Sequence, residues 1–301
     1  MKAKILLLMI LTALLASGGA FAGTYSGPTD TTHSIDPAIS KSDSSILGWA
    51  TGWEDYLPAP DVDSQWRTPE NAINNTPGIV TLGDLDQAQI EGGVNPGEIT
   101  LTFDNAITNG ARFDFAVFEN GFVSPSDPYL FAELAYVEVS TDGTNFARFD
   151  SITENDYGWQ GAYGRAFGGY DSTGFCNLAG KHANNYGNNY GTQFDLDDLT
   201  DHALVLADLV DLNKINYVKI IDIPGIGVVD ADGNPLDPPH PYFTDSAGNP
   251  IYDNWLTTGS GGFDLDEIGV LNQVPIPGAV WLLGSGLLGL IGIRRKRASS
   301  Q

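Results

Sequence analysis

The chain has 301 residues, with 38 Asp and Glu against 14 Lys and Arg, and a single cysteine. Such a charge balance excludes a nucleic-acid binder that works through phosphate contacts, which need a basic surface. Cys176 has no second cysteine to join, which excludes an intramolecular disulfide scaffold and a multi-cysteine zinc site.

The N-terminal segment, residues 1–22, has three parts. Met1-Lys2-Ala3-Lys4 is basic, Ile5 to Ala16 is apolar, and small residues lead to Ala20-Phe21-Ala22. This is the pattern of a secretory signal peptide with an A-x-A cleavage site. The apolar run is shorter than the roughly 20 residues that cross a bilayer. A buried N-terminal helix is the alternative. Cleavage after Ala22 would leave Gly23 first. Residues 23–45 are small and polar and read as a flexible arm.

The two ends hold six of the basic residues and none of the acids, so residues 23–273 carry 8 basic and 38 acidic side chains, a net charge of −30. Repulsion on this scale destabilises a compact state unless something neutralises it. Outside a cell Ca²⁺ can do so, because it takes hard oxygen ligands. A solvated acidic surface kept for solubility is the other reading.

Residues 46–273 form one large domain, long enough to bury a core, and its patterning is β. Ile99, Leu101 and Phe103 alternate with Thr100 and Thr102. Phe113, Phe115 and Val117 alternate with Asp114, Ala116 and Phe118, and Ala135, Val137 and Val139 with Tyr136, Glu138 and Ser140. Period-two alternation predicts strands with one buried face. Asp142-Gly143 predicts a hairpin turn. Residues 215–223 (INYVKIIDI) are largely apolar on both faces and predict a central strand. In the last strand, Phe263 to Leu271, the apolar phase switches between Leu265 and Ile268, which predicts a bulge near Asp266-Glu267. Asp195 to Leu199, followed by Ala203 and Leu204, predicts one short helix with acids at its start. The remainder is long loop, and the profile is all-β: a sandwich or jelly roll.

Several pieces resemble galactose-binding-like jelly rolls, including discoidin domains. They are Pro69-Glu70-Asn71-Ala72-Ile73, the stretch Val137 to Phe146, and Tyr217-Val218-Lys219-Ile220. The chain also resembles an uncharacterised group of bacterial surface proteins with a GFDLD-type final strand, here Gly262-Phe263-Asp264-Leu265-Asp266. That resemblance implies an exported location and no particular activity.

Three acidic groups are candidate sites. One is Asp114, Glu119 and Asn120. A second is Asp264, Asp266 and Glu267, in which Asp264 and Asp266 share a face by alternation. Glu119, Asp264 and Asp266 form the candidate Ca²⁺ ligand set, with plain solvent exposure as the alternative. The third, Asp230 to Asp237, has the front half of a calcium loop but lacks the closing Glu. A similar shape recurs at Asp245 to Asp253, and two hairpin tips explain both more simply. The loop from Asp156 to Thr192 contains Trp159, Tyr163, Tyr170, Tyr186 and Tyr190 among Gly and Asn. Aromatic faces and amides suit carbohydrate, and the alternative is aromatics folded back on the domain. No histidine spacing or serine elbow points to catalysis. A two-carboxylate polysaccharide hydrolase is the runner-up function.

Residues 274–301 close the chain. Val274-Pro275-Ile276-Pro277 precedes an uncharged stretch that ends at Ile293, and Arg294, Arg295, Lys296 and Arg297 follow. From Val274 to Ile293 a helix would be about 30 Å long, enough to span a membrane. The basic cluster places everything before it outside the cell. Motif, apolar helix and basic tail in this order resemble the PEP-CTERM sorting signal, in its VPLPA-type variant. Ile276 and Gly278 stand where that variant has Leu and Ala. The resemblance implies an exosortase that cuts at the motif and releases the protein to the cell surface or extracellular matrix. An uncut single-pass anchor is the alternative. Together these readings describe an exported, non-catalytic bacterial surface protein, structural or carbohydrate-binding, and calcium-stabilised.

Overall fold

The computed structural model describes residues 38–123, 130, 131, 133–153, 174–182, 189–224, 243–249, 251, 253 and 259–274. In chain order the strands are β1 (Ala38–Ser40), β2 (Gly48–Trp49), β3 (Gly52–Leu57), β4 (Val80–Thr81), β5 (Glu98–Ile107), β6 (Phe115–Glu119), β7 (Phe122–Val123) and β8 (Leu130–Phe131). Then come β9 (Ala135–Ser140), β10 (Ala147–Arg148), β11 (Ile152–Thr153), β12 (Phe175–Cys176), β13 (Tyr190–Phe194), β14 (Ile215–Asp222) and β15 (Asp264–Val270). The strand pairs are antiparallel, and the fold is all-β. The first sheet runs β1-β13-β6-β15-β2, with β4 also paired to β15; the second runs β10-β9-β14-β5-β3.

One apolar core serves both sheets, as the alternation requires. Ile99 and Leu101 of β5, Val137 and Val139 of β9, and Val218 and Ile220 of β14 enter it from the second sheet. Phe115 and Val117 of β6, Phe194 of β13, and Leu265 and Ile268 of β15 enter it from the first. Phe115 stacks on Phe194 with centroids 5.2 Å apart, and Phe149 meets it edge-on at 5.9 Å. Each such side chain contributes roughly 1.5–3 kcal/mol by leaving water. β14 lies between β9 and β5, and its Ile221 packs on a second, smaller cluster with Leu134, Tyr136 and Phe175. One face of β14 is buried in the main core and the other is half-buried, which accounts for its largely apolar sequence.

The bulge in β15 falls where the phase switch predicts it. Leu265 opposes Glu119 and Glu267 opposes Phe118, so Asp266 is the extra residue. Leu265 and Ile268 consequently both reach the core. The Asp142-Gly143 turn joins β9 to β10. Gly143 has φ +75°, while Asp142 accepts the amides of Thr144 and Asn145.

Helix is more divided than the sequence predicts, and it occurs at more places. The single expected helix is two pieces. Asp195 caps a 3-10 turn, Leu196–Leu199, by accepting the Asp197 amide, and a new one-turn helix, Ala203–Leu206, begins after His202 Nδ1 accepts from Leu204. An unexpected helix, Gln87–Glu91, starts on a reciprocal cap between Asp86 and Gln89. β1 lies within the stretch read as an arm: Ala38 and Ile39 are buried, and β1 pairs with β13. Among the described residues no helix is long and apolar enough to cross a membrane.

Candidate functional site

Four acidic residues from distant parts of the chain approach one another at one end of the shared core, Glu119 and Asp222 each beside Asp264 and Asp84 beside Asp222. Glu119 ends β6, Asp222 ends β14, Asp264 opens β15, and Asp84 follows β4. Backbone pairing brings them together. Leu265 pairs with Glu119, Asp264 with Thr81, and the Leu82 amide donates to the Phe263 carbonyl at 2.9 Å. The Phe263 amide donates to Asp222 Oδ1 at 2.7 Å, which ties the end of the second sheet to the start of β15. Asn120 donates its amide to the Asp264 carbonyl at 3.0 Å.

Glycines permit the close approach. Gly262 has φ +70°, and a Cβ there would lie 2.5 Å from the Gly83 carbonyl carbon and 2.8 Å from the Asp84 nitrogen. At Gly121 a Cβ would lie 2.5 Å from Glu119 Oε2, the oxygen that accepts the Gly121 amide.

All four carboxyl groups are buried, from 0% exposed at Asp222 to 8% at Asp84. Burial disfavours the charged form, and neighbouring negative charge disfavours it further. The Asp264 carboxyl is pushed up to about 7 by burial, despite hydrogen bonds from Thr81, Asn120 and Ser260 that favour its charged form. Burial and the charge of Asp264 raise Glu119 well above the usual carboxylate range, with Asp266 adding to the effect. Burial and the charges of Asp84 and Asp264 do the same to Asp222. Asp222 Oδ2 has no hydrogen-bond partner among the described residues.

The candidate ligand set thus falls in two. Glu119 and Asp264 lie together and buried, which removes plain solvent exposure as their explanation. Asp266 takes a different partner: its Oδ2 accepts from Lys41 Nζ at 2.8 Å, and the same ammonium pairs with Glu267. Burial pulls the Lys41 ammonium down, but Asp266 and Glu267 together hold it above its ordinary value. Among the described residues no three acid, imidazole or thiol groups are already gathered about one point at metal-ligand spacing. Alternation within β15 drew attention to Asp264. Asp84 and Asp222 were missed, because nothing local distinguishes them; the only signal is Asp222 breaking an otherwise apolar strand end.

The other candidates lie elsewhere. Asp114 is remote from the site in hydrogen bonding, for its carboxylate accepts from Gly110, Leu196 and Asn272 at 2.8–2.9 Å. Burial nevertheless pushes it up to about 6. The second calcium-loop shape is a closed turn: Asp245 Oδ1 accepts from Ala247 and Asn249, and Oδ2 from Thr153 and Asn249. Residues 230–237 lie outside the described residues, as do Trp159, Tyr163, Tyr170 and Tyr186. Tyr190 is on β13 opposite Ser40 and lines an open groove of about 750 Å³ with Phe113, Arg112, Gln193 and Asn272. Cys176 is a buried strand residue paired with Ile152.

Val274 is exposed, and its amide donates to the Ala106 carbonyl at 2.9 Å. Pro275, Ile276, Pro277, Arg294, Arg295 and the cleavage residues Ala20 and Ala22 lie outside the described residues. No protein-family model matches the chain, and no curated protein matches it.

Proposed function

We propose that the chain is an exported bacterial surface or matrix protein whose jelly-roll domain is non-catalytic, calcium-stabilised, and structural or carbohydrate-binding. In this reading a signal peptide delivers it and an exosortase processes its PEP-CTERM-like tail. The observation that carries the reading is the burial of Glu119 and Asp264 together in a region of net charge −30. Buried like charges call for protons or a cation, and calcium at millimolar levels belongs to the outside of a cell. The two chain ends support the same address.

A carboxylate hydrolase needs its acid and base in reach of a sugar. Glu119, Asp222 and Asp264, the carboxyl groups most strongly held in the protonated form, are buried away from any polymer. That favours the binding reading over the enzyme.

Mass spectrometry of the mature protein from its native envelope tests the address and the processing. The expected product begins at Gly23 and ends near Val274 to Pro277. A cytoplasmic product with Met1 and Gln301 both present refutes the reading.

A further inference from the structure

We propose that Asp84, Glu119, Asp222 and Asp264 together bind one Ca²⁺ ion, which fastens the two sheets to each other at this end of the core. The inference rests on the calcium reading above and names its ligands: Asp84 and Asp222 take the place given to Asp266.

The argument starts from an oxygen without a partner. Asp222 is fully buried, and its Oδ1 is satisfied by the Phe263 amide while Oδ2 has no partner among the described residues. A buried acceptor left unsatisfied is costly, and a buried carboxylate more so. The charges that act on Asp222 are Asp84 and Asp264, both acidic. An ionised carboxylate cannot satisfy it; a shared proton or a cation can, and only a cation offsets the charge of the whole group. Asp266 already has a cation beside it, the Lys41 ammonium that it shares with Glu267.

The surroundings are built for close approach. Gly262 sits at positive φ against Gly83 and the Asp84 backbone, and Gly121 sits against the Glu119 carboxylate. Side chains at these places would force the four segments apart. Asn120 and Ser260, both half-buried, hydrogen-bond the Asp264 side chain and fix its position.

The chemistry selects the ion. Every group offered is a hard oxygen, which suits Ca²⁺ or Mg²⁺ and not the softer metals. Mg²⁺ demands near-ideal octahedral geometry, whereas Ca²⁺ accepts six to eight oxygens at about 2.3–2.6 Å in irregular arrangements. Acids arriving from four separate backbone segments match the second habit. Because they are not gathered about one point, their side chains must turn inward onto the ion.

Calorimetric titration of the purified full chain with CaCl2 tests this, alongside thermal unfolding in CaCl2 and in EDTA. The variants are Asp84→Asn, Asp222→Asn and Asp266→Asn. Wild type and Asp266→Asn are expected to bind calcium and melt higher with it. Asp222→Asn and Asp84→Asn are expected to bind at least about tenfold more weakly. In EDTA, Asp222→Asn should melt no lower than wild type, since its amide oxygen can keep the Phe263 bond and it carries no charge to bury, and this shows that the variant folds. Calcium binding that survives both Asp84→Asn and Asp222→Asn but is lost in Asp266→Asn overturns the ligand assignment and leaves the calcium reading standing. A wild type that ignores calcium overturns both.

Discussion

In a chelated sample the buried acids should make the domain less stable as pH rises, and Asp264 allows the effect to be sized. Its carboxyl titrates at 3.8 when unfolded and at about 7 when folded, chiefly because burial disfavours the charged form. A group whose proton affinity rises on folding stabilises the fold in its protonated state. The contribution is complete below 3.8 and disappears as pH climbs through about 7. At about 1.4 kcal/mol for each pH unit in that interval, the loss is about 4 kcal/mol. For a domain of this size, ~4 kcal/mol lowers the melting temperature by about 8–16 °C. The groups acting on Asp264 are Thr81, Asn120 and Ser260 by hydrogen bond; Glu119 and Asp222 lie beside it and are themselves raised by its charge. Glu267, pushed up to about 7 by burial against the pull of Lys41, moves in the same direction. The assay is thermal unfolding in EDTA at pH 5, 6, 7 and 8. General repulsion in so acidic a domain also grows with pH, so Asp264→Asn is the control. It should flatten the profile by roughly the amount assigned to Asp264. A wild type and an Asp264→Asn variant with parallel pH profiles would refute the reasoning.

Gly262→Ala places a Cβ at positive φ and within 2.5 Å of the Gly83 backbone, which cannot swing aside as a side chain can. The expected cost is about 2–4 kcal/mol, read as a melting temperature lower by about 5–15 °C; an unchanged melt would show that the two segments are not pressed together. Tyr190→Ala removes an aromatic wall of the groove shared with Phe113 and Arg112. If the groove holds sugar, affinity electrophoresis in gels containing extracellular polysaccharide should show wild type retarded and Tyr190→Ala less so, by about tenfold in affinity or 1–2 kcal/mol of lost stacking; equal mobility in every gel removes Tyr190 from the binding reading.

Strand identity was legible because it depends on local alternation. Ile99, Leu101, Val137 and Val139 declare their buried face by sequence alone, and each lies in the core. The β15 bulge was legible for the same reason, since one extra residue must invert the phase. The helix prediction erred where short caps compete with continuation: His202 restarts the chain by accepting the Leu204 amide, and periodicity does not register that bond. The arm prediction missed β1 because three residues are too few to alternate, and Ile39 pairs with Gly191 of β13, some 150 residues later, and packs with Ala116, Phe118 and Leu271. The site divided along the same line. Asp264 stood out within its own strand. Asp84 and Asp222 acquire meaning only when the two sheets close on each other, and no spacing in the sequence encodes that approach.

The same geometry gives a physical reason for the acids to be where they are. A core end could be sealed with apolar residues at less cost, since replacing buried charge by well-packed hydrophobic groups is often neutral or stabilising. Here the seal is made of carboxylates from four segments, held by bonds such as the Leu82 amide to the Phe263 carbonyl and the Phe263 amide to the Asp222 carboxylate. Ionised and without a cation, these carboxylates would push the segments apart; a bound cation would draw them together. Because each acid belongs to a different segment, only the closed pair of sheets offers the complete set, and the unfolded chain offers none of it. An ion that binds only the closed form stabilises it in proportion to the logarithm of its concentration. Calcium would then act most strongly on the step that brings β14 against β15, and hardly at all on strands such as β9 and β10 that pair through a local turn. Chelation should therefore loosen this end of the core before it disturbs the Phe115, Phe149 and Phe194 packing.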